Sequence, residues 1–132
     1  MSKSLGNTIL LSDSADDTAK KMKTAVTDPL KVRRNDPGRP EVCLVYGYHQ
    51  KWNPLEVQEI YPGCTSGSLG CVDCKKRVSD KINDSFTAPR EKRKALEESP
   101  HAILRIIENG EARAQKIATA TIAEVREAMK FG

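Results

Sequence analysis

Long apolar runs are missing from this chain of 132 residues, and none approaches the roughly 20 residues that a membrane-spanning helix needs. The first residues also lack the apolar stretch of a secretory signal peptide. Neither of the phosphate-binding motifs G-x-G-x-x-G and G-K-[ST] is present, and we find no repeats and no alternating βαβ pattern. We therefore expect a cytoplasmic protein with reduced thiols and no membrane partner.

Aromatic residues are also scarce, at 5% of the chain, whereas hydrophobic residues make up 38% and charged residues 30%. This composition suits a small helical domain with a thin core, and the length suits one domain or one domain with a leading strip. The net charge is +4, a modest excess that permits binding to a polyanion but does not establish it.

Apolar residues recur at helical spacing, which predicts a mostly α fold of five to seven helices. The first predicted helix covers residues 15–26, the second begins at Pro40, and a short third begins at Pro54 and stops at 62–63. A fourth begins after Gly70, and a fifth begins at Arg90 after a break at 88–89. The last two run from Pro100 to a stop at 109–110 and over 111–129. Residues 9–11 predict a strand or a buried bend. Ser14 is the expected N-cap of the first helix, because Asp17 follows it at the spacing of a capping box.

Four cysteines are all the thiols that the chain has: Cys43, Cys64, Cys71 and Cys74, with the spacing C-x20-C-x6-C-x2-C. A C-x2-C pair on a helix brings two thiols onto one face, and two further cysteines complete a four-thiolate metal or iron–sulfur site. Residues 62–70 have few large side chains to pack around anything else. Two disulfides or four small buried thiols are the alternatives. From the spacing alone, zinc is the favoured ion.

The helix predicted after Gly70 carries two of these thiols and an apolar stripe on one side. Its members are Cys71, Cys74, Val78, Ile82 and Phe86. We expect this face to tie the thiol site to the core. The residues Ile103, Leu104, Ile106 and Ile107 are likewise expected to form a buried side of a later helix.

Two groups of cations are candidate contacts to a nucleic-acid backbone: Lys75, Lys76 and Arg77, and then Arg90, Lys92, Arg93 and Lys94. The second group is predicted to open a helix, where cations are unfavourable unless an anion compensates them. A solvated face is the alternative for both groups. Residues 31–39 form a basic connector that fits either phosphate contact or a solvated linker. His49 is expected to pack in its helix, with a polar contact as the alternative.

Several stretches together resemble one family. Residues 1–4 read Met-Ser-Lys-Ser, and 28–29, 36–38, 40–43, 70–76 and 124–129 follow in the family's order. The chain thus resembles the C-terminal half of the bacterial-type tryptophanyl-tRNA synthetases, which are class I enzymes, over essentially its whole length.

The resemblance implies a division after residue 12. Residues 1–12 would end a catalytic domain with the Lys-Met-Ser-Lys-Ser loop, a short remnant of a Rossmann domain, and 13–132 would form a helical anticodon-binding bundle. Lys3 would be catalytic and steady the pyrophosphate as tryptophan is activated, while Ser2 and Ser4 would support the ATP loop. The implied partners are tRNA(Trp), tryptophan and ATP, with a homodimer in the intact enzyme.

A subset of that family carries a 4Fe–4S cluster on four cysteines in this order. The resemblance therefore favours a cluster at Cys43, Cys64, Cys71 and Cys74, with zinc as the alternative. The chain departs from the family pattern because the first lysine of the loop, the Rossmann half and a His-x-Gly-His motif are absent. We expect the isolated chain to be unable to form tryptophanyl-adenylate. A stand-alone tRNA-binding module and a zinc-stabilised helical scaffold are the competing functions.

Overall fold

The structure, a computed structural model, describes residues 3–131, apart from the side chain of Lys3. This part of the chain is helical and contains no strand. The α-helices are α1 (Ala15–Thr24), α2 (Leu44–Trp52), α3 (Val57–Thr65), α4 (Cys71–Glu97) and α5 (Pro100–Ala128), with short 3-10 helices at Lys3–Leu5, Pro40–Val42 and Pro54–Glu56. The prediction of a mostly α fold is confirmed. The predicted strand or buried bend over 9–11 is wrong, since these residues are coil and turn with Leu11 exposed.

The chain divides into two compact units, residues 1–90 and residues 91–132. Three helices and most of α4 belong to the first unit, and α5 belongs to the second. This division leaves the predicted boundary after residue 12 untested, because that boundary concerns the end of a catalytic domain.

Helix α1 begins at the predicted cap. The Ser14 hydroxyl oxygen accepts a hydrogen bond from the Asp17 amide at 3.0 Å and donates to the Asp17 carboxylate at 2.7 Å. Asp16 and Asp17 lie in the first turn and Lys21 and Lys23 in the last, which complements the helix dipole. The cap thereby fixes where the face bearing Thr18 and Met22 turns inward.

The core of the first unit is small. Its fully buried apolar side chains are Met22, Ala25, Val45, Val78 and Ile82. Half-buried side chains packed against it are Ile9, Cys43, Tyr48, Trp52, Cys74 and Phe86. Because two of the four thiols belong to this packing, the expected link between the thiol site and the core is confirmed.

Two predicted helix ends at prolines are wrong. Helix α3 continues past Pro62 to Thr65, and α4 continues past Pro89 to Glu97. An interior proline costs about 3 kcal/mol because it lacks one N–H, but the turns around it can keep their own hydrogen bonds. Beyond Pro62 the Ser66 amide still donates to the Pro62 carbonyl at 3.0 Å. Arg90 therefore does not open a helix, and the dipole argument for an anion at that point fails.

The predicted stop at 109–110 is also wrong, since α5 continues to Ala128. A Cβ built on Gly110 would meet nothing within 4 Å, so this glycine is an ordinary helical residue in open space. The expected burial of Ile103 and its apolar neighbours is wrong as well, because Ile103 is 39% exposed and Ile106 is 62% exposed.

Candidate metal centre and nucleic-acid interface

The four cysteines come from three neighbouring segments of the first unit. Cys43 directly precedes α2, Cys64 lies in the last turn of α3, and Cys71 and Cys74 occupy the first turn of α4. All four are half-buried and free of disulfides. A short loop joins Cys64 to Cys71. The hydroxyls of Ser66 and Ser68, 3.0 Å apart, hold this loop together.

Two glycines allow the loop over residues 28–39 to pack closely against the loop between Cys64 and Cys71. The Gly38 amide donates to the Cys64 carbonyl at 2.9 Å, and a Cβ on Gly38 would lie only 2.6 Å from the Cys64 sulfur. Gly67 has a φ of +77°, and a Cβ there would lie 2.2 Å from the Asn35 carbonyl oxygen. Any side chain at either position would push the loop away from the thiols.

The thiols influence one another electrostatically. Burial, and to a smaller extent the charges of Cys43, Cys64 and Cys71, raise the pKa of the Cys74 thiol to about 12. Burial also raises the pKa of the Cys64 thiol, whereas the Lys31 ammonium lowers it. The charge of each of the other three thiols thus acts on Cys74, although no three Cys, His, Asp or Glu side chains within residues 3–131 have an arrangement that could hold a metal ion.

His49 and Asn53 form a buried chain of polar contacts that ends at Cys74. The His49 Nε2 is 3.0 Å from the Cys74 carbonyl oxygen and 3.3 Å from its sulfur, and Asn53 Nδ2 is 3.1 Å from His49 Nδ1. Because an amide nitrogen only donates, Nδ1 accepts, and the ring proton is on Nε2, where it points at Cys74. The expected packing of His49 in its helix and the alternative of a polar contact both hold, because the residue is fully buried and makes polar contacts.

The loop that carries Gly38 is held by an ion pair. Arg39 donates to the Asp28 carboxylate from its backbone at 2.9 Å and from two guanidinium nitrogens at 3.1 and 2.7 Å. These hydrogen bonds hold the pKa of Asp28, which is 3% exposed, far below its usual 3.8. The pair closes the loop over residues 28–39.

We expect Asp28→Asn to be destabilising near neutral pH and less so in acid. The folded-state pKa lies below the unfolded value of 3.8, so the pair stabilises fully above that value and loses its contribution as the pH falls towards the folded pKa. Urea unfolding of wild type and variant from pH 7 to pH 3 measures the difference. Asp84→Asn, at an exposed position of α4, is the control. A gap for Asp28→Asn that stays constant with pH would contradict the assignment.

The predicted tRNA-contacting cations have unequal surroundings. The Arg90 guanidinium donates to the Asp13 carbonyl and the Thr18 hydroxyl, both at 2.9 Å, and lies over the Phe86 ring. Arg77 donates to Glu59 at 2.7 Å. These two arginines are engaged by the protein itself.

The remaining predicted contacts are more open to solvent. Lys76 pairs with Asp80 at 3.0 Å, and its side chain is 77% exposed. Lys75 donates to the Lys23 carbonyl at 3.0 Å. In the second unit, Lys92 is exposed, and Arg93 and Lys94 form exposed pairs with the acidic residues four positions on. The Lys76 side chain is thus about twice as exposed as that of Arg77, which is 39% exposed.

Comparison with known proteins gives this arrangement a context. A family model described as "tRNA synthetases class I (W and Y)" matches residues 1–87. The chain belongs to this synthetase family. It is 39% identical to the tryptophan–tRNA ligases of Aquifex aeolicus and Thermotoga maritima and 37% identical to that of Deinococcus radiodurans. Each alignment covers 99% of this chain, whereas the chain spans only 34% to 40% of the relatives' own length.

In this synthetase chain the predicted ATP loop falls mostly outside the described residues. Ser2 and the Lys3 side chain are outside them, and Ser4 is exposed in the first 3-10 helix. Within the described residues no helix is both long and apolar enough to cross a membrane.

Sequence reasoning missed several residues around the site of this synthetase. Gly38 and Asn53 are recognisable only as turn and helix-start residues, and Ser79 as one polar position within a helix. Their roles depend on partners far away in sequence or at helix ends, which no local spacing indicates.

Proposed function

We propose that this chain is the RNA-recognising helical part of a tryptophan–tRNA ligase, the enzyme that activates tryptophan with ATP and transfers it to tRNA(Trp). The observation that carries the proposal is the alignment of 99% of the chain with relatives of that name. The family match over residues 1–87 supports it independently.

Within that enzyme, residues 1–12 would contribute the end of the ATP loop and 13–132 would recognise tRNA. Lys3 would act on the pyrophosphate, with Ser2 and Ser4 supporting it. The intact enzyme would work in the cytoplasm as a homodimer. A cytoplasmic location is consistent with four thiols that form no disulfide.

Cys43, Cys64, Cys71 and Cys74 would hold one 4Fe–4S cluster, with zinc as the alternative. The donor set supports this, because it consists of sulfur alone and comes from three neighbouring segments of the first unit. A bound centre would supply a crosslink between the start of α2, the end of α3 and the start of α4. The sulfurs would have to turn towards a common point on binding, while the His49 N–H would steady Cys74.

Lys75 and Lys76 are the strongest candidates for contacts to the tRNA backbone in the first unit. They lie near the start of α4, close in sequence to Cys71 and Cys74; Lys76 is exposed, Lys75 is half-buried, and each ammonium keeps spare donors. Lys92, Arg93 and Lys94 would add contacts from the second unit, since all three are exposed. Arg77 and Arg90 would shape the surface, because Arg77 is paired with Glu56 and Glu59 and Arg90 binds protein oxygens through its guanidinium.

The function is tested by a binding measurement with matched RNAs. We expect this chain, purified without oxygen, to bind tRNA(Trp) more tightly than the same tRNA with one anticodon base exchanged. A wrong base that loses its specific contacts typically weakens recognition by about 1–3 kcal/mol, roughly 5- to 150-fold. Equal affinity for both RNAs over a salt series would contradict anticodon recognition, and it would favour a non-specific RNA-binding module. No binding to either would favour a metal-stabilised scaffold.

A further inference from the structure

A cleft of about 380 Å³ lies between α1 and α4 in the first unit. Its volume falls within the range of small-molecule sites, about 300–1,000 Å³. Ala19 and Val72 line it with apolar surface, and three lysines, Lys23, Lys75 and Lys76, also line it. The cleft therefore combines apolar surface with a rim of basic residues.

Ser79 lines the same cleft and is unusual among the serines of α4. It is 4% exposed, and its buried hydroxyl oxygen has no hydrogen-bond partner among residues 3–131. A helical serine commonly donates to the carbonyl four residues back, as Ser85 does to Lys81 at 2.9 Å. A buried hydroxyl without a partner is costly, which is a reason to expect that a ligand supplies one.

The charged groups of the cleft keep capacity for a ligand. Lys75 uses one donor on the Lys23 carbonyl, and Lys76 uses one on the Asp80 carboxylate at 3.0 Å. An ammonium has three donors, so both lysines retain others. Asp80 also lines the cleft and adds an acceptor beside the lysines.

We propose that this cleft takes one unstacked nucleotide of a single-stranded RNA, with its base on Ala19 and Val72 and its phosphate among the lysines. The base edge would face the Ser79 hydroxyl and the Asp80 carboxylate. A free phosphate would leave the apolar surface unused, and an acyl chain would leave the polar groups unused, so a nucleotide matches the whole lining. The inference rests on the proposed function and specifies which surface binds the tRNA.

Three substitutions test the cleft against one matched control. Ala19→Leu would fill it, Lys23→Glu would reverse one charge of its rim, and Ser79→Ala would remove the hydroxyl. Lys20→Glu is the control, because Lys20 is 79% exposed on the same helix, carries the same charge and does not line the cleft. The readouts are the Kd for fluorescently labelled tRNA(Trp), by anisotropy, and the melting temperature of each variant.

We expect Ala19→Leu and Lys23→Glu to weaken binding about tenfold, a size typical of losing one base or phosphate contact, and Lys20→Glu by about twofold. Ser79→Ala should weaken binding several-fold while its melting temperature stays equal or rises, because removing an unpartnered buried hydroxyl relieves a cost. A merely structural serine would instead leave the affinity unchanged.

The outcomes separate the two claims. If wild type binds tRNA(Trp) and the three cleft variants bind it as tightly as Lys20→Glu, this inference is overturned and the proposed function stands. If wild type does not bind tRNA(Trp) at all, the proposed function fails and the inference fails with it. Ultraviolet crosslinking of thiouridine-substituted tRNA to peptides of α1 or α4 in the wild type would support the cleft directly.

Discussion

Cys74→Ser should release the bound metal and lower the melting temperature of the chain by roughly 10 °C or more. Metal binding to a site that exists only in the folded state contributes directly to folding energy, and one kcal/mol corresponds to about 4–8 °C for a domain of 60–100 residues. Cys74 packs against the core, and burial there raises the pKa of its thiol to about 12. A hydroxyl at this position supplies no thiolate ligand. Thermal melts with metal analysis of the same samples measure both effects.

Wild type stripped of metal by a chelator is the control for Cys74→Ser, because it separates loss of the ion from loss of sulfur packing. We expect the stripped wild type and the variant to melt within a few degrees of each other, both well below the loaded wild type. A variant that melts with the loaded wild type would show that no structural centre depends on this sulfur.

Gly67→Ala should be the second strongly destabilising change. The position has a φ of +77°, which costs an L-residue roughly 1–2 kcal/mol. The added Cβ would also lie 2.2 Å from the Asn35 oxygen and 2.8 Å from the Asn35 carbonyl carbon, both of them backbone atoms. The loop over the thiols would have to move away. We therefore expect a lower urea midpoint together with weaker metal retention during dialysis against a chelator.

Gly47→Ala is the matched control for Gly67→Ala, since Gly47 lies in α2 of the same unit and a Cβ there would meet nothing within 4 Å. Alanine in a helix interior is favoured over glycine by about 0.5–1 kcal/mol, so this variant should be slightly more stable than wild type. Two alanine variants of equal stability would refute the close approach of the two loops.

Local signals in the sequence were sufficient where a feature depends on neighbours within one or two turns. The Ser14 cap with Asp17 formed as predicted, and α5 begins at Pro100 as predicted. The face that Cys74 shares with Val78 and Ile82 was also predictable, because helical period alone groups them.

Local signals failed where the surroundings decide. Pro62, Pro89 and Gly110 indicate helix ends, yet each lies inside a helix. The free-energy cost of a single helix-breaking residue is comparable to the stabilisation from a few contacts, so packing and neighbouring turns can outweigh it. Seven predicted helices consequently merged into five within the described residues.

The spacing of the four cysteines predicts a common site, and this remains a prediction, because no three ligands within residues 3–131 have an arrangement that could hold a metal ion. The surroundings of the candidate site were harder to predict. Two hydrogen-bond partners of Arg90, Asp13 and Thr18, lie more than 70 positions earlier in the chain. Composition could not distinguish this engaged arginine from an exposed lysine such as Lys76.

X-ray absorption spectroscopy at the metal edge of the anaerobically purified chain, with metal and sulfide analysis of the same sample, tests the four-thiol centre most directly. We predict about four iron atoms and four sulfides per chain, as a 4Fe–4S cluster requires, and a first shell of sulfur alone. A result of one zinc ion with four sulfur neighbours would support the four-thiol site but identify zinc, in place of the cluster, as its metal. A metal-free chain, or a first shell with nitrogen and oxygen in place of cysteine sulfur, would contradict the centre.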